Sequence, residues 1–163
     1  MGLGTISEYL GFLEDAGLVF QSTKFDFSIK KQLVNPKKIY AIDLGLKDAV
    51  SVRFAEDYGR NLENLAAIEL KRRGRELFYW KNGRGLETDF LIRAGTKVEM
   101  AIQVAATLAD LKSKKREVNS LLAAMEHFGL KEGLILTGDE FGSEKIDDKI
   151  IHCQPIWQWL LND

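Results

Sequence analysis

Near the start of the chain, apolar residues first recur at helical spacing and then alternate with polar ones. A helix is predicted from Thr5, where Thr5-Ile6-Ser7-Glu8 forms a capping box, to just before Gly17, a residue typical of helix ends. After it, Leu18 to Phe20 and the alternating stretch from Phe25 to Ile29 predict a two-stranded hairpin. One face of the helix is apolar and needs a partner, and its residues are Ile6, Tyr9, Leu10 and Leu13.

Beyond residue 36, the spacing of apolar positions switches repeatedly between the helical period and the strand period. The resulting order is helix, three strands, helix, two strands and helix, which predicts an α/β fold. A short strand at 39–42 precedes them and leads into a helical turn at Asp43. The predicted helices are 60–73, one that begins near Lys112 and carries apolar residues from Val118 to Phe128 on one face, and 155–161. The predicted strands are 77–81, 86–93, 97–105, 133–137 and 149–152.

Two of these strands bring polar side chains together in a predicted hairpin. Because successive side chains of a strand point to opposite faces, Asp89 of the first strand is expected beside Gln103 and Ala105 of the second. A carboxylate next to an amide oxygen supplies the kind of ligands that a magnesium ion requires. The hairpin is therefore a candidate metal site.

The helix before this hairpin carries two carboxylates, Glu63 and Glu69, among apolar neighbours. A carboxylate in apolar surroundings needs a charged partner, which a metal ion or a basic group could supply. The alternative to a functional role is an ion pair with Arg72, Arg73 or Arg75 at the end of the same helix. The residues alone leave both interpretations open.

Composition limits the classes of function. Of the 163 residues, 45% are hydrophobic and 29% are charged, which is typical of a packed globular protein. The formal net charge is −1, so a nucleic acid or a membrane would have to be held by a local patch. Cys153 is the single cysteine, which excludes an internal disulfide and a Cys/His zinc motif. The sequence contains no segment of membrane-spanning length and no signal peptide, so we expect a cytoplasmic protein.

The order and spacing of several short motifs resemble the C-terminal region of the AAA+ "archaeal-type" ATPases. In that family, a P-loop ATPase module leads into a winged helix and then into a restriction-endonuclease-like domain of the PD-(D/E)XK type. The resemblance covers nearly the whole chain. It implies a partial winged-helix segment at 1–35 and a nuclease-like domain, with a mixed sheet flanked by helices, at 36–163. The motifs are Asn35-Pro36-Lys37-Lys38-Ile39-Tyr40-Ala41-Ile42-Asp43-Leu44-Gly45, Leu62-Glu63-Asn64, Phe78-Tyr79-Trp80, Glu87-Thr88-Asp89-Phe90, Ile102-Gln103-Val104, Lys115-Arg116-Glu117 and Leu134-Ile135-Leu136-Thr137.

The resemblance also implies a site. Glu63 would match the acid of the first helix, Asp89 the metal-binding aspartate and Gln103 the third-strand acid or amide, together binding Mg²⁺ or Mn²⁺. Active members carry a lysine two residues after the third position, where this chain has Ala105. That lysine acts on the attacking water and stabilises charge at phosphorus, which alanine cannot do. The chain has no P-loop motif, so we expect no ATP site, and the implied partner is an ATPase module upstream in the parent protein.

A basic cluster at the start of the helix that follows the hairpin is the candidate for a displaced cation or for a surface that binds nucleic acid. The alternative for this cluster is a solvated helix end. Its residues are Lys112, Lys114, Lys115 and Arg116. DNA contacts are also predicted for the helix from Thr5 to Glu14 and for the wing around Lys24, Lys30 and Lys31.

Three functions stay open from the sequence. The first is a C-terminal fragment of an AAA+-type ATPase, serving as an inactive nuclease-like module that binds DNA or protein. The second is a metal-dependent DNA endonuclease with a relocated catalytic lysine. The third is an oligomerisation domain whose contacts use exposed aromatic residues, for which the candidates are Tyr79, Trp80, Trp157 and Trp159.

Overall fold

The structure is a computed structural model, and it describes residues 2–50 and 57–162. The helices are α1 (Leu3–Asp15), α2 (Ile29–Val34), α3 (Leu44–Val50), α4 (Asp57–Arg72), α5 (Leu111–Phe128) and α6 (Ile156–Leu161). The strands are β1 (Val19–Lys24), β2 (Lys37–Ala41), β3 (Phe78–Lys81), β4 (Glu87–Ala94), β5 (Lys97–Val104), β6 (Glu132–Thr137), β7 (Gly142–Ile146) and β8 (Lys149–Pro155). Within these two ranges, no helix has the length and apolar character needed to cross a membrane.

The strands form one mixed sheet in the order β2-β1-β3-β4-β5-β6-β8-β7. The pairs β1–β2, β3–β4, β4–β5 and β7–β8 are antiparallel, whereas β1–β3, β5–β6 and β6–β8 are parallel. This arrangement confirms the predicted α/β fold, a mixed sheet flanked by helices. The central pair β4–β5 carries Asp89 and Gln103.

An apolar core lies on each face of the sheet. On one face, Leu121 and Met125 of α5 pack against Leu91, and all three side chains are fully buried. On the other face, α4 and α6 cover Phe90 and Leu136, which are also fully buried. The central stretches 88–92 of β4 and 101–103 of β5 are therefore buried between the two cores.

The segment after β1 differs from the prediction. The stretch 25–29 is not a strand that pairs with β1, because β1 pairs with β2 instead. Phe25 is buried on the α5 face, with its ring 5.6 Å from that of Phe78 and 5.3 Å from that of Phe128. The predicted hairpin is wrong here, because the alternation comes from one buried aromatic residue followed by the start of α2.

The ribbon that does form crosses the predicted boundary between 1–35 and 36–163. Its strand β1 comes from the first segment and β2 from the second, and β1 also pairs with β3. The boundary thus separates strands that the structure joins in one sheet. The predicted wing around Lys24, Lys30 and Lys31 is divided between the end of β1 and α2.

The first helix is confirmed, with changes at its start and in its surroundings. It begins at Leu3, and Gly17 ends it in a left-handed conformation (φ 67°) with Leu18 N–H bonded to the Leu13 carbonyl. α1 is attached to β1, where the Gln21 side chain donates to Glu14 at 2.7 Å. Its predicted apolar face is largely exposed, including Tyr9.

Two other boundaries were not predicted. Strand β7 has the sequence Gly-Ser-Glu-Lys-Ile and is exposed along most of its length, so it lacks the apolar alternation by which strands are recognised. Pro155 is the last residue of β8 and the N-cap of α6, so the helix begins at Ile156, one position after the predicted start.

A β-bulge interrupts β4 at the position of the predicted site. The pairing register of β3 with β4 shifts by one residue within this stretch. Thr88 and Leu91 consequently face the same side although they are three residues apart. Thr88 Oγ1 donates to the Ser120 carbonyl of α5 at 3.0 Å, and Leu91 packs in the core beneath α5. The bulge turns Asp89 and Phe90 away from α5.

We expect Gly133→Ala to destabilise the fold by about 1–3 kcal/mol, as overpacking a close-packed core does. A Cβ at Gly133 would lie 2.7 Å from Met125 Sδ and 3.1 Å from Leu121 Cδ2, so both buried side chains must move. Gly83→Ala is the matched control, since a Cβ there meets nothing within 4 Å. Urea unfolding of both variants measures the difference, and equal midpoints would show that the α5 core is looser than the structure indicates.

Candidate functional site

A cleft of about 1150 Å³ opens where the start of β4 meets the end of β5. The first turns of α4 and α5 form its walls, and the turn between β3 and β4 lies at its rim. The cleft combines carboxylates with arginines from three separate elements. Its charged lining residues are Arg60, Glu63, Arg84, Glu87, Asp89, Arg116 and Glu117.

Lys38 is the centre of a group of carboxylates beside this cleft. Its ammonium nitrogen lies 2.9 Å from Asp89 Oδ1, 2.9 Å from Glu87 Oε1 and 3.0 Å from Glu63 Oε1. An ammonium group has three N–H donors, so these three carboxylates satisfy it completely. Lys38 also lies over the Tyr79 ring, 5.4 Å from the ring centroid.

Two further contacts position the lysine relative to α4. Tyr40, two residues later on β2, donates its hydroxyl to Glu63 Oε1 at 2.7 Å. Asn64 bonds both backbone groups of Ala41, accepting from its N–H at 2.9 Å and donating to its carbonyl at 2.7 Å. These bonds fix the edge strand β2 against α4, so Lys38 and Glu63 cannot move independently.

The bulge separates two side chains that the sequence predicts together. The Asp89 carboxylate accepts from Lys38 and from the Val104 N–H at 3.0 Å. Gln103 points towards α5, where its amide donates to Glu117 Oε2 at 2.7 Å. The predicted pair is therefore joined only through the Asp89 backbone N–H, 3.4 Å from Gln103 Oε1.

Burial and charge act against each other at the lysine and its partners. Burial favours loss of the Lys38 proton, but Asp89 and Glu63 outweigh it, and the pKa of Lys38 is raised. Burial raises the pKa of Asp89 to about 7, with Lys38 opposing the shift and Glu63 adding to it. Burial likewise opposes ionisation of Glu87, but the bonds from Lys38 and Lys81 hold its pKa below the ordinary value. Three carboxylates thus share Lys38, and one of them also pairs with Lys81, which leaves the group negatively charged when all are ionised.

The other candidates for a relocated cation lie elsewhere. Ala105 is buried in the core beneath α5, so its face of β5 does not meet Lys38. Lys114 pairs with Glu144 of β7 at 2.8 Å, and Lys112 and Lys115 are exposed on α5 without lining the cleft. Arg116 is the one member of the basic cluster that does line it, and it bonds Glu117.

The two carboxylates of α4, Glu63 and Glu69, have different partners in the structure. Glu69 pairs with Arg72 at 2.7 Å and Arg73 at 2.6 Å. The bond from Arg72 is the main reason that the pKa of Glu69 is lowered to about 2. The alternative of a structural ion pair is therefore confirmed for Glu69, whereas Glu63 lies in the group around Lys38.

The aromatic residues proposed for self-association are mostly interior. Tyr79, Trp80 and Trp159 are buried, and Trp157 is 51% exposed. Burial of three of the four leaves little of this set for contacts between copies.

No group of three or more His, Cys, Asp or Glu side chains within residues 2–50 and 57–162 is arranged to hold a metal ion. The side chain of Gln103 is directed to Glu117, so the predicted set of Glu63, Asp89 and Gln103 is not assembled as one cluster. The carboxylates themselves fit a divalent cation chemically, because oxygen ligands and excess negative charge are what such ions require. Lys38 and Tyr40 both donate to the Oε1 oxygen of Glu63, so neither of these two bonds uses its Oε2 oxygen.

Sequence reasoning missed Lys38, Glu87 and Glu117 as members of the site. Lys38 alternates with Tyr40, and Glu87 with Asp89, so each pair shares a strand face and could have been grouped on that basis. Glu117 is nine-tenths buried or more, yet its position on α5 gave no signal beyond a charged residue on a partly apolar face. All three residues reach the site through contacts between segments that are distant in the sequence.

Comparison with known proteins relates the chain to proteins without an assigned function. The sequence profile of a family described as "Domain of unknown function (DUF4143)" matches residues 58–159. An uncharacterized protein of Methanocaldococcus jannaschii, MJ1544, is 37% identical over 166 residues, and an uncharacterized protein of Haemophilus influenzae is 29% identical over 157 residues. Each match covers 96% of this chain but only 36% and 37% of the respective relative, so the chain spans little more than a third of their length. No solved structure matches the chain.

We expect the stability of the protein to fall as the pH rises from about 4 to about 7. In this window the folded state keeps a proton on Asp89, whose pKa is about 7, that the unfolded chain has already lost near its ordinary pKa of about 3.9. Asp89→Asn removes this proton and should flatten the curve over the same window. Urea unfolding at a series of pH values tests this, and parallel curves for the two proteins would assign the titration to another group.

Proposed function

The chain belongs to the DUF4143 family. We propose that it is a metal-dependent endonuclease module that cleaves DNA in its cleft, with Lys38 as the relocated lysine. The observation that carries the proposal is the position of the Lys38 ammonium, 2.9 Å from Asp89 and 3.0 Å from Glu63. A cation in contact with both acids supplies what Ala105 cannot.

Lys38 has the electrostatic properties that this role requires. Its raised pKa keeps it an ammonium group at all ordinary pH values, so it serves as a fixed charge and not as a base. Such a charge stabilises the negative charge that develops on a phosphate oxygen during cleavage. The Lys38 ammonium lies over the Tyr79 ring, and β2 is bonded to α4, so the charge is oriented before substrate binds.

The carboxylates would hold a metal ion of the kind used by the nucleases that this chain resembles. Asp89 and Glu63 are its expected ligands, with Glu87 within reach of the same lysine. A bound divalent cation would supply Lewis-acid stabilisation and lower the pKa of a water molecule. Gln103 holds the backbone of Asp89 and thereby supports the bulge that directs the carboxylate.

Arginines around the cleft are suited to the phosphate backbone. Arg60 comes from α4, Arg84 from the β3–β4 turn and Arg116 from α5. Guanidinium groups bind phosphate through two parallel hydrogen bonds, which fixes orientation as well as position. The net charge of the protein is near zero, so DNA would be held by these arginines, with a bound divalent cation offsetting the carboxylates of the cleft.

A second candidate function is a nuclease-like module that binds DNA without cutting it. The observation that favours it is that three carboxylates satisfy all donors of Lys38, while Gln103 is committed to Glu117. The ATPase module implied by resemblance would then act through this chain as a DNA-binding element. Cleavage and binding assays separate the two candidates.

We expect labelled linear, branched or single-stranded DNA to be cleaved in Mn²⁺ or Mg²⁺, and Lys38→Met to lower the rate by about 100- to 1000-fold, as loss of one charge-stabilising donor does. Asp89→Ala should abolish cleavage. Lys81→Met is the matched control, since Lys81 also pairs with Glu87 at 3.0 Å but contacts neither Asp89 nor Glu63. Equal activity of Asp89→Ala and wild type would trace the cleavage to another source.

If the second candidate is correct, wild-type protein binds DNA and cuts none of these substrates. Binding should then weaken as salt rises, and Arg84→Ala should weaken it further because a phosphate contact is lost. Arg75→Ala makes the same charge change beyond the far end of α4, about 24 Å from its first turn, and should have no effect. Fluorescence anisotropy measures both variants, and an equal loss in the two would point to a diffuse charge effect.

A further inference from the structure

An aromatic ring at the cleft has no part in the chemistry proposed for Lys38. Tyr58, in the first turn of α4, lines the cleft and is 56% exposed. A Cβ added at Gly138 would lie 3.0 Å from the Tyr58 hydroxyl oxygen, so the hydroxyl end rests against the backbone just after β6. The ring is therefore anchored at one end while more than half of the side chain stays open to solvent.

The cleft has room for part of a nucleic-acid strand. Pockets for drug-sized ligands have volumes of roughly 300–1000 Å³, and this cleft, at about 1150 Å³, is slightly larger. A space of this size can hold a few nucleotides of one strand.

An exposed ring next to arginines is the combination by which proteins bind single strands. Arg60 lies two residues after Tyr58 on the same helix, and both line the cleft. Aromatic side chains stack on the faces of unpaired bases, and positively charged groups follow the backbone. The interior base pairs of a duplex offer no free face, so stacking discriminates between the two forms of DNA.

We propose that the cleft binds single-stranded DNA, or the single-stranded end of a branched DNA, with an unpaired base stacked on Tyr58. This inference rests on the proposed function, because it assigns the substrate of the same cleft. Tyr58 acts in binding and selection, and it takes no part in bond cleavage.

The test is the affinity for single-stranded and duplex oligonucleotides of equal length, carrying phosphorothioate linkages that keep the charge and resist cleavage. Tyr58→Ala should weaken binding of the single strand at least about fivefold, the lower end of what one base–aromatic stack contributes. Tyr58→Phe keeps the ring and should bind as wild type does. Phe141→Ala is the matched control, since Phe141 is 62% exposed but does not line the cleft.

Four results would overturn the inference. The first three are tighter binding of the duplex by wild type, equal effects of Tyr58→Ala and Phe141→Ala, and a loss in Tyr58→Phe as large as that in Tyr58→Ala. Wild-type protein that binds neither form also contradicts it. The cleavage assay with Lys38→Met decides the proposed function separately, since selectivity for single strands can exist in a protein that cuts nothing.

Discussion

The site depends on one ammonium group, that of Lys38, which pairs with three carboxylates from two different elements. Lys38 is carried by the edge strand β2, Glu63 by α4, and Glu87 and Asp89 by β4. Removing one partner from a buried ion pair leaves an uncompensated charge, which is far more costly than the pair is stabilising. The positions of β2, α4 and the start of β4 are therefore linked through the Lys38 side chain. In the sheet, β1 and β3 lie between β2 and β4.

The bulge in β4 determines which carboxylate meets that ammonium group. In a regular strand Asp89 would share a face with Leu91 and point towards α5, where Gln103 and Glu117 lie. The extra residue turns Asp89 to the side of α4 and leaves Gln103 to bond its backbone. The cleft consequently contains two polar groups, one around Lys38 and one around Glu117, on opposite sides of the β4–β5 pair.

Much of the fold could be predicted from local patterns, because helix ends and hairpin turns have local causes. Gly17 and Gly74 both adopt the left-handed conformation expected where a helix ends, and the β4–β5 hairpin forms in the expected place. The alternation from Phe25 to Ile29 was misleading because burial of Phe25 arises from distant rings and not from strand pairing. The bulge and the reach of Lys38 have no local signature at all. The contact of Lys38 with Asp89 joins segments about 50 residues apart, and the bulge appears only in the pairing of β4 with β3.

Which groups a lysine contacts depends on where its ammonium group lies, and not only on which strand carries the residue. Ala105 is buried in the core beneath α5, whereas the bulge directs Asp89 to the other face of the sheet. Lys38 of β2 contacts Asp89 on that face. Because β2 is an edge strand held by β1 and by Asn64, and α1 rests on β1, the N-terminal segment supports the strand on which the charge balance of the cleft depends.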